Sequence, residues 1–242
     1  QGYSSAASDV YKRQVQAAIG AVNAVAFDIS AACAGFIFAM NIVEGFFKAG
    51  IYKTALIIGA ETLSKVTDWS DRGTCVLFGD GAGAAVLKAE ETGIIDMMMG
   101  ADGTKGDVLA CTSRTVGNFL TGTKPELGFM TMDGQEVFKF AVRKVPESVL
   151  ELLSRTGTKK EDIKYYVLHQ ANERIIEAAA RRLKEPMEKF PMTIGQFGNT
   201  STASIPLLLD DMIQKDMLKR GDKIIMSGFG AGMTWGAVLM EW

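Results

Sequence analysis

Residues 78–87 read FGDGAGAAVL and residues 229–239 read FGAGMTWGAVL, and this pair of stretches decides the fold class. Each is a glycine-rich turn that passes through small residues into Val-Leu, beside an apolar segment suited to a strand. Two unrelated glycine turns would share part of this pattern. The common order of turn, small residues and Val-Leu favours two homologous half-domains. The run GDGAGA at 79–84 comes near the dinucleotide fingerprint, yet the residues after it suit a strand, whereas that fingerprint opens a helix. No Lys-Ser or Lys-Thr pair comes after the glycines, so a phosphate loop fails too.

Working outward, residues 24–29 are short and apolar and are expected to form a buried strand. Ser30, Ala31, Ala32 and Cys33 come next, and then an apolar helical run to about Ala49, closed by Gly50. A second buried strand is expected at 54–59, and the glycine turn at 79–83 should lead into a strand at 84–87. Residues 101–128, rich in Gly, Thr and Asp, read as a long loop or hairpin. Residues 135–155 have helical spacing, with Val137, Phe140, Ala141, Val145, Val149 and Leu152 on one side. A buried strand at 163–168 ends at His169, and Asn172 can cap a helix running to about Lys184. A further helix is expected at 204–219, with Pro206 tolerable only in its first turn. Strands at 223–227 and 235–240 close the chain. Strands alternating with helices predict an α/β layered fold.

The 242 residues carry 26 Lys plus Arg against 28 Asp plus Glu, a formal charge of −2, with 48% apolar and 22% charged residues. That is ordinary globular composition and gives no electrostatic case for nucleic-acid binding. Cys33, Cys75 and Cys111 are far apart and form no CxxC pair, which argues against a disulfide framework or structural zinc and fits a reduced, cytoplasmic setting. The most apolar stretch, 31–47, is broken by Asn41 and Glu44, so it reads as a buried helix and not a membrane span. The chain has one His, so imidazole chemistry must run through His169 and a multi-His metal site is excluded. The first residue is Gln, and residues 1–14 (QGYSSAASDVYKRQ) show no apolar period; the chain reads as a fragment or a processed product.

Cys33 falls between an apolar strand and an apolar helix. A sulfur at a helix N-terminus meets free N–H groups and the positive dipole end, which favour thiolate over thiol. Its neighbours Ala31, Ala32, Ala34 and Gly35 leave room for a substrate. A buried small apolar side chain is the commoner fate of a cysteine, and that reading stands beside the nucleophilic one. His169 at a strand end fits a hydrogen-bonded structural residue, and Asn199 in FGNTSTAS fits a turn or cap. Together the three make a Cys, His, Asn set at element ends, where sites assemble in α/β sheets. A thiolate can take up an acyl group, and His and Asn can both donate to a second carbonyl. Backbone N–H groups at Cys33 and in 228–232 can supply an oxyanion hole. Arg174, Arg181 and Lys184 share one helix face, with Arg182 beside them. Such a run is ordinarily a solvated face, and in a functional reading it docks an anionic partner.

Six segments, AFDISAACAGF (26–36), DRGTCVLFGDGAGAAVL (71–87), MDGQEVFKFAV (132–142), LHQANERII (168–176), FGNTSTASIP (197–206) and GFGAGMTWG (228–236), occur in the order found in β-ketoacyl-(acyl carrier protein) synthase III. Over about residues 15–242 the chain resembles that family of condensing enzymes. The resemblance implies a thiolase-like layered αβαβα fold of two similar halves, the first half incomplete. Residues 15–132 would be the remainder of the N-terminal half with a loop insertion, and 133–242 the C-terminal half. Residues 1–14 match nothing in the family and are expected to be translated adapter or assembly sequence. Family members carry further strands and helices before the segment at Val15.

The implied activity is decarboxylative Claisen condensation of a short acyl-CoA with malonyl-acyl carrier protein. Cys33 would be the acylated nucleophile, and His169 and Asn199 would hold the malonyl thioester carbonyl. The N–H of Ala231 would join that of Cys33 in the oxyanion hole, and Phe229 would exclude water from the site. Lys139, Arg174, Arg181 and Arg182 would serve carrier-protein or CoA docking. The resemblance further implies a cytoplasmic homodimer with no cofactor, no metal, no nucleic-acid partner and no membrane contact. The same residues leave open a ketosynthase of secondary metabolism, an inactive remnant, and a cysteine hydrolase, although the papain-like enzymes lack these flanking motifs.

Overall fold

The computed structural model describes residues 14–111, 120–123 and 128–242. The reading of residues 1–13, and the part of the expected 101–128 loop at 112–119 and 124–127, lie outside the described residues. The described residues form eight strands: β1 (Thr54–Glu61), β2 (Gly81–Lys88), β3 (Ile94–Ala101), β4 (Leu109–Cys111), β5 (Met130–Met132), β6 (Ile163–Leu168), β7 (Lys223–Gly230) and β8 (Thr234–Glu241). The longer helices are α1 (Gly35–Lys48), α2 (Gly134–Thr156), α3 (Glu173–Leu183) and α4 (Ser204–Gln214).

The central sheet has the order β3-β8-β7-β6, with β6 parallel to β7 and the other pairs antiparallel. Strand β7 is buried along nearly its whole length, so its side chains alternate between two cores. Ile225 and Phe229 pack with the apolar stripe of α2 and with α3, whereas Ile224 and Met226 pack with α1 and α4. Beyond α1 and α4 lies the antiparallel pair β1–β2. Four of the five expected layers, in the order β, α, β, α, are thus present among the described residues. Helix α1 is apolar around most of its circumference because it is covered on both sides.

Local chemistry sets the helix ends. The Asp133 carboxylate accepts from the N–H groups of Gln135 and Glu136 at 3.0 and 3.1 Å and starts α2, and left-handed Gly157 stops it. Asn172 caps α3 through the Arg174 N–H at 2.9 Å, as its position suggests. Pro206 lies in the first turn of α4, where its missing N–H costs no helical bond.

The internal echo extends beyond the glycine turns. A 3₁₀ turn at Ala32–Ala34 leads into α1 and the antiparallel pair β1–β2, and a 3₁₀ turn at Ser201–Ala203 leads into α4 and the antiparallel pair β7–β8. Both turns begin on a left-handed residue that is not glycine, Ala32 at φ 45° and Ser201 at φ 51°.

Several sequence expectations are corrected. Residues 24–29 form no strand, and Val25 and Phe27 are exposed. Strand β1 forms but is buried on one face only: Ile57 and Gly59 point inward, while Leu56 and Ile58 are exposed. Strand β2 starts at Gly81, within the glycine run, because Gly81 and Gly83 occupy inner-face positions against α4. A Cβ at Gly83 would stand 2.9 Å from Pro206 Cγ. Helix α4 ends at Gln214, earlier than residue 219, where Asp216 turns left-handed. Strand β3 went unread in the sequence, and it lies within 15–132 yet joins the sheet of the later strands.

The end of β7 meets the 3₁₀ turn at Ala32–Ala34 with no room for a side chain. A Cβ at Gly230 would lie 2.5 Å from the Cys33 nitrogen and 3.2 Å from that of Ala34. Gly230→Ala is expected to lower stability by ~1–3 kcal/mol through overpacking, read as a drop in the urea midpoint at unchanged slope.

Candidate active site

Cys33 is the middle residue of the 3₁₀ turn and is buried, with α1 beginning two residues later. The turn is held from three directions. The Thr202 hydroxyl donates to the Ala32 carbonyl at 2.7 Å, the Thr234 hydroxyl donates to the Ala31 carbonyl at 3.2 Å, and Gly230 packs against its backbone. The expected resting thiolate is not what this setting favours. Burial pushes the Cys33 thiol up to about 11, opposed by the Ser201 hydroxyl, reinforced by the Glu61 carboxylate and opposed again by Cys33's own N–H. Desolvation outweighs the helix-end effect, so the group is a neutral thiol at pH 7.

His169 comes directly after β6. Its N–H donates to the Ser227 carbonyl on β7 at 2.8 Å, and its Nδ1 lies 2.6 Å from Ser204 Oγ at the start of α4. The ring also meets the Phe229 ring edge-on, with centroids 5.6 Å apart. Burial pushes the imidazole down to about 3, so it is neutral at pH 7.

Asn199 is clamped by the first glycine turn. Its N–H donates to the Leu77 carbonyl at 2.8 Å, and its carbonyl accepts from the Gly79 N–H at 2.9 Å. A Cβ at Gly79 would collide with the Phe197 carbonyl, so glycine is required there for close approach and not for a nucleotide. The Asn199 Oδ1 accepts from the Ser201 N–H at 2.9 Å, which leaves the NH₂ end of the carboxamide to point elsewhere.

The structure brings these side chains to one cavity of about 210 Å³, whose wall includes Cys33, His169, Asn199, Phe229 and Gly230. Leu77, Phe78, Leu109, Met132, Val137 and Phe138 make much of the rest of the wall apolar. Ala231 lies one residue past Gly230, in the turn to β8, and is not itself on that wall. Lys139 is exposed and pairs with Glu136 at 2.8 Å, and exposed Arg181 approaches Glu177 at 3.5 Å. Arg182 donates to the Val142 carbonyl at 2.9 Å and so ties α3 to α2. Exposed Arg174 lies two residues past Asn172, which is on the cavity wall.

Three nearby residues escaped sequence reading: Ser201, Ser204 and Glu61. The serines lie in a hydroxyl-rich stretch, NTSTAS, which reads as ordinary turn chemistry. Glu61 offered one signal, its place two residues after Gly59 on the inner face of β1, and its carboxylate accepts from the Ser201 hydroxyl at 3.3 Å. Among the described residues, no group of three or more His, Cys, Asp or Glu is placed to hold a metal, and no helix is long and apolar enough to cross a membrane.

Known proteins are similar to this chain in sequence and in fold. The family model described as 3-Oxoacyl-[acyl-carrier-protein (ACP)] synthase III matches residues 27–103, and the model of its C terminal matches residues 153–242. The β-ketoacyl-acyl-carrier-protein synthase III of Clostridium novyi is 53% identical over 230 residues, covering 94% of this chain and 71% of that protein. The crystal structure of the synthase III of Aquifex aeolicus VF5 superposes with a TM-score of 0.87 at 44% identity, over 96% of this chain and 71% of that one. A priming β-ketosynthase from the R1128 polyketide biosynthetic pathway gives a TM-score of 0.86 at 34% identity, over 94% of this chain and 69% of that one. The chain has a thiolase-like fold and belongs to the 3-oxoacyl-(acyl carrier protein) synthase III family.

Proposed function

We propose that the chain is an acyltransferase that condenses a short acyl-CoA with malonyl-acyl carrier protein, with loss of carbon dioxide, to give the 3-oxoacyl-acyl carrier protein that initiates fatty acid synthesis. The observation that carries this reading is the single cavity onto which a buried thiol, the lone imidazole and a carboxamide all open. In the first half-reaction the Cys33 sulfur attacks the acyl carbonyl, the bond to the CoA sulfur breaks, and the thiol proton leaves with CoA. In the second, His169 and Asn199 hold the malonyl thioester carbonyl. The bond to the carboxylate breaks, carbon dioxide departs, and its electron pair passes to the α-carbon and the held oxygen. The carbanion attacks the Cys33 thioester, the carbon–sulfur bond to Cys33 breaks, and the released thiolate is reprotonated from solvent as the product leaves and the cavity reopens.

The apolar wall and Phe229 exclude water, which favours loss of a carboxylate charge from the site over its retention. In this reading the backbone N–H groups of Cys33 and of the peptide that joins wall residue Gly230 to Ala231 meet the tetrahedral oxyanion. In the same reading Lys139, Arg174, Arg181 and Arg182 serve docking of an acidic carrier protein and of the phosphates of CoA. The family reading brings with it a cytoplasmic homodimer working without metal or cofactor. A role in secondary metabolism has the weaker support, since the priming ketosynthase is 34% identical and the clostridial synthase III 53%.

Incubation of the chain with acetyl-CoA should add one acetyl group on Cys33, read by intact and peptide mass spectrometry, and Cys33→Ala should abolish it. A folded chain that takes no acyl group from several short acyl-CoAs would contradict the reading. His169→Ala and Asn199→Ala should keep most acylation but lose malonyl decarboxylation by roughly 10²–10³-fold, the scale of removing one oxyanion donor. In a Cys75→Ser, Cys111→Ser background, iodoacetamide alkylation of Cys33 should be slow at pH 7 and keep rising toward pH 11. A plateau below pH 8 would show a resting thiolate instead.

A further inference from the structure

The two ends of the imidazole are treated differently by the fold. Nδ1 faces Ser204 Oγ at 2.6 Å in a fully enclosed contact, and the ring borders the cavity. That leaves Nε2 as the nitrogen free to meet a substrate. Which nitrogen carries the proton decides whether the cavity is offered a donor or a lone pair.

The surroundings of Ser204 settle the direction. The hydroxyl oxygen already accepts from the Gln170 N–H at 3.3 Å. Were Nδ1 also protonated, the oxygen would accept twice, and its own hydrogen would have no acceptor among the described residues in a place closed to water. With Nδ1 unprotonated, every group is satisfied: Gln170 donates to Ser204, and Ser204 donates to Nδ1. No charged side chain contacts the ring among the described residues; its partners there are Ser204 and Phe229.

We infer that Ser204 is a positioning residue whose hydroxyl donates to His169 Nδ1, locking the imidazole as the Nε2–H tautomer so that it presents a hydrogen-bond donor to the cavity. The catalytic meaning of this lock rests on the condensation reading above. His169 and Asn199 then act alike. Each has its acceptor atom occupied by the 201–204 segment, Asn199 Oδ1 by the Ser201 N–H and His169 Nδ1 by the Ser204 hydroxyl, and each turns a neutral N–H toward the site. Two such donors can share one thioester oxygen as negative charge develops on it, and neither has to surrender a proton. The same hydroxyl spans β6 and α4, so it also sets the ring plane.

Because the chain has one histidine, ¹⁵N-histidine labelling reports on this ring alone. In the 242-residue chain near pH 7, the directly bonded proton should couple to Nε2, with Nδ1 shifted downfield as an unprotonated nitrogen. Ser204→Ala should shift the ring toward the Nδ1–H form or an exchanging mixture, and Ser204→Thr, which keeps the hydroxyl, should restore the original signature. Decarboxylation of malonyl thioester should fall on the order of 10- to 100-fold in Ser204→Ala, the scale of losing an orienting partner, and recover in Ser204→Thr. A proton found on Nδ1 in the unaltered chain overturns the inference, and so does an unchanged tautomer in folded Ser204→Ala. If Ser204→Ala does not fold, the unaltered chain and Ser204→Thr still decide it. An Nε2–H signature in a chain that leaves malonyl thioester intact supports the tautomer and counts against the condensation reading alone.

Discussion

The arrangement depends on two short turns packed against each other in conformations that side chains resist. Ala32 and Ser201 both occupy left-handed backbone space, which costs on the order of 1 kcal/mol or more at each and persists only when the surroundings over-determine it. The restraint here is mutual. Thr202 donates to the Ala32 carbonyl, and Gly35 and Gly59 lack the Cβ atoms that would meet Thr202, at 2.8 Å in each case. From this junction the chemistry radiates. The turn at Ala32–Ala34 carries Cys33, the turn at Ser201–Ala203 fixes the Asn199 carboxamide, and the next residue, Ser204, meets His169. All three groups are therefore tied to the two turns and the residue that directly follows them, with the first glycine turn and β7 completing the hold on Asn199 and His169.

The functional groups around that junction are also buried, and burial sets the charge state of the site. Burial holds the Cys33 thiol and the His169 imidazole in their neutral forms, so they do not form a resting ion pair. A neutral cavity with an apolar wall suits a reaction in which charge is concentrated only while bonds are changing. Preformed N–H donors then meet that charge with little rearrangement, which is more effective in a low dielectric than in water.

Much of this could be read from the residues, and the misses have physical causes. The stripe Val137, Phe140, Ala141, Val145, Val149 and Leu152 is buried as its spacing predicts, and Asn172 caps the helix it precedes. Local pattern succeeded where the structure is locally determined. It failed at 24–29, where an apolar run suited to a strand joins no strand ladder among the described residues, since strand formation is a property of ladders and not of local composition. It also failed at β3, whose IIDMMMGA lacks a clean alternation and is held by its ladder with β8. Cys33, His169 and Asn199 stood out by residue type, and the cavity gathers all three. Ser204 and Glu61 did not stand out, because their significance lies in contacts 35 and 140 residues away along the chain.

The repeated 3₁₀ turn places Cys33 and Thr202 at equivalent positions, each directly after a left-handed residue and each just ahead of a long helix. In one copy that position offers a sulfur to the cavity; in the other it offers a hydroxyl that braces the first copy. The molecule is symmetric in scaffold and asymmetric in labour. One repeat carries the sulfur, and its twin carries the hydroxyl that holds the sulfur's turn in place.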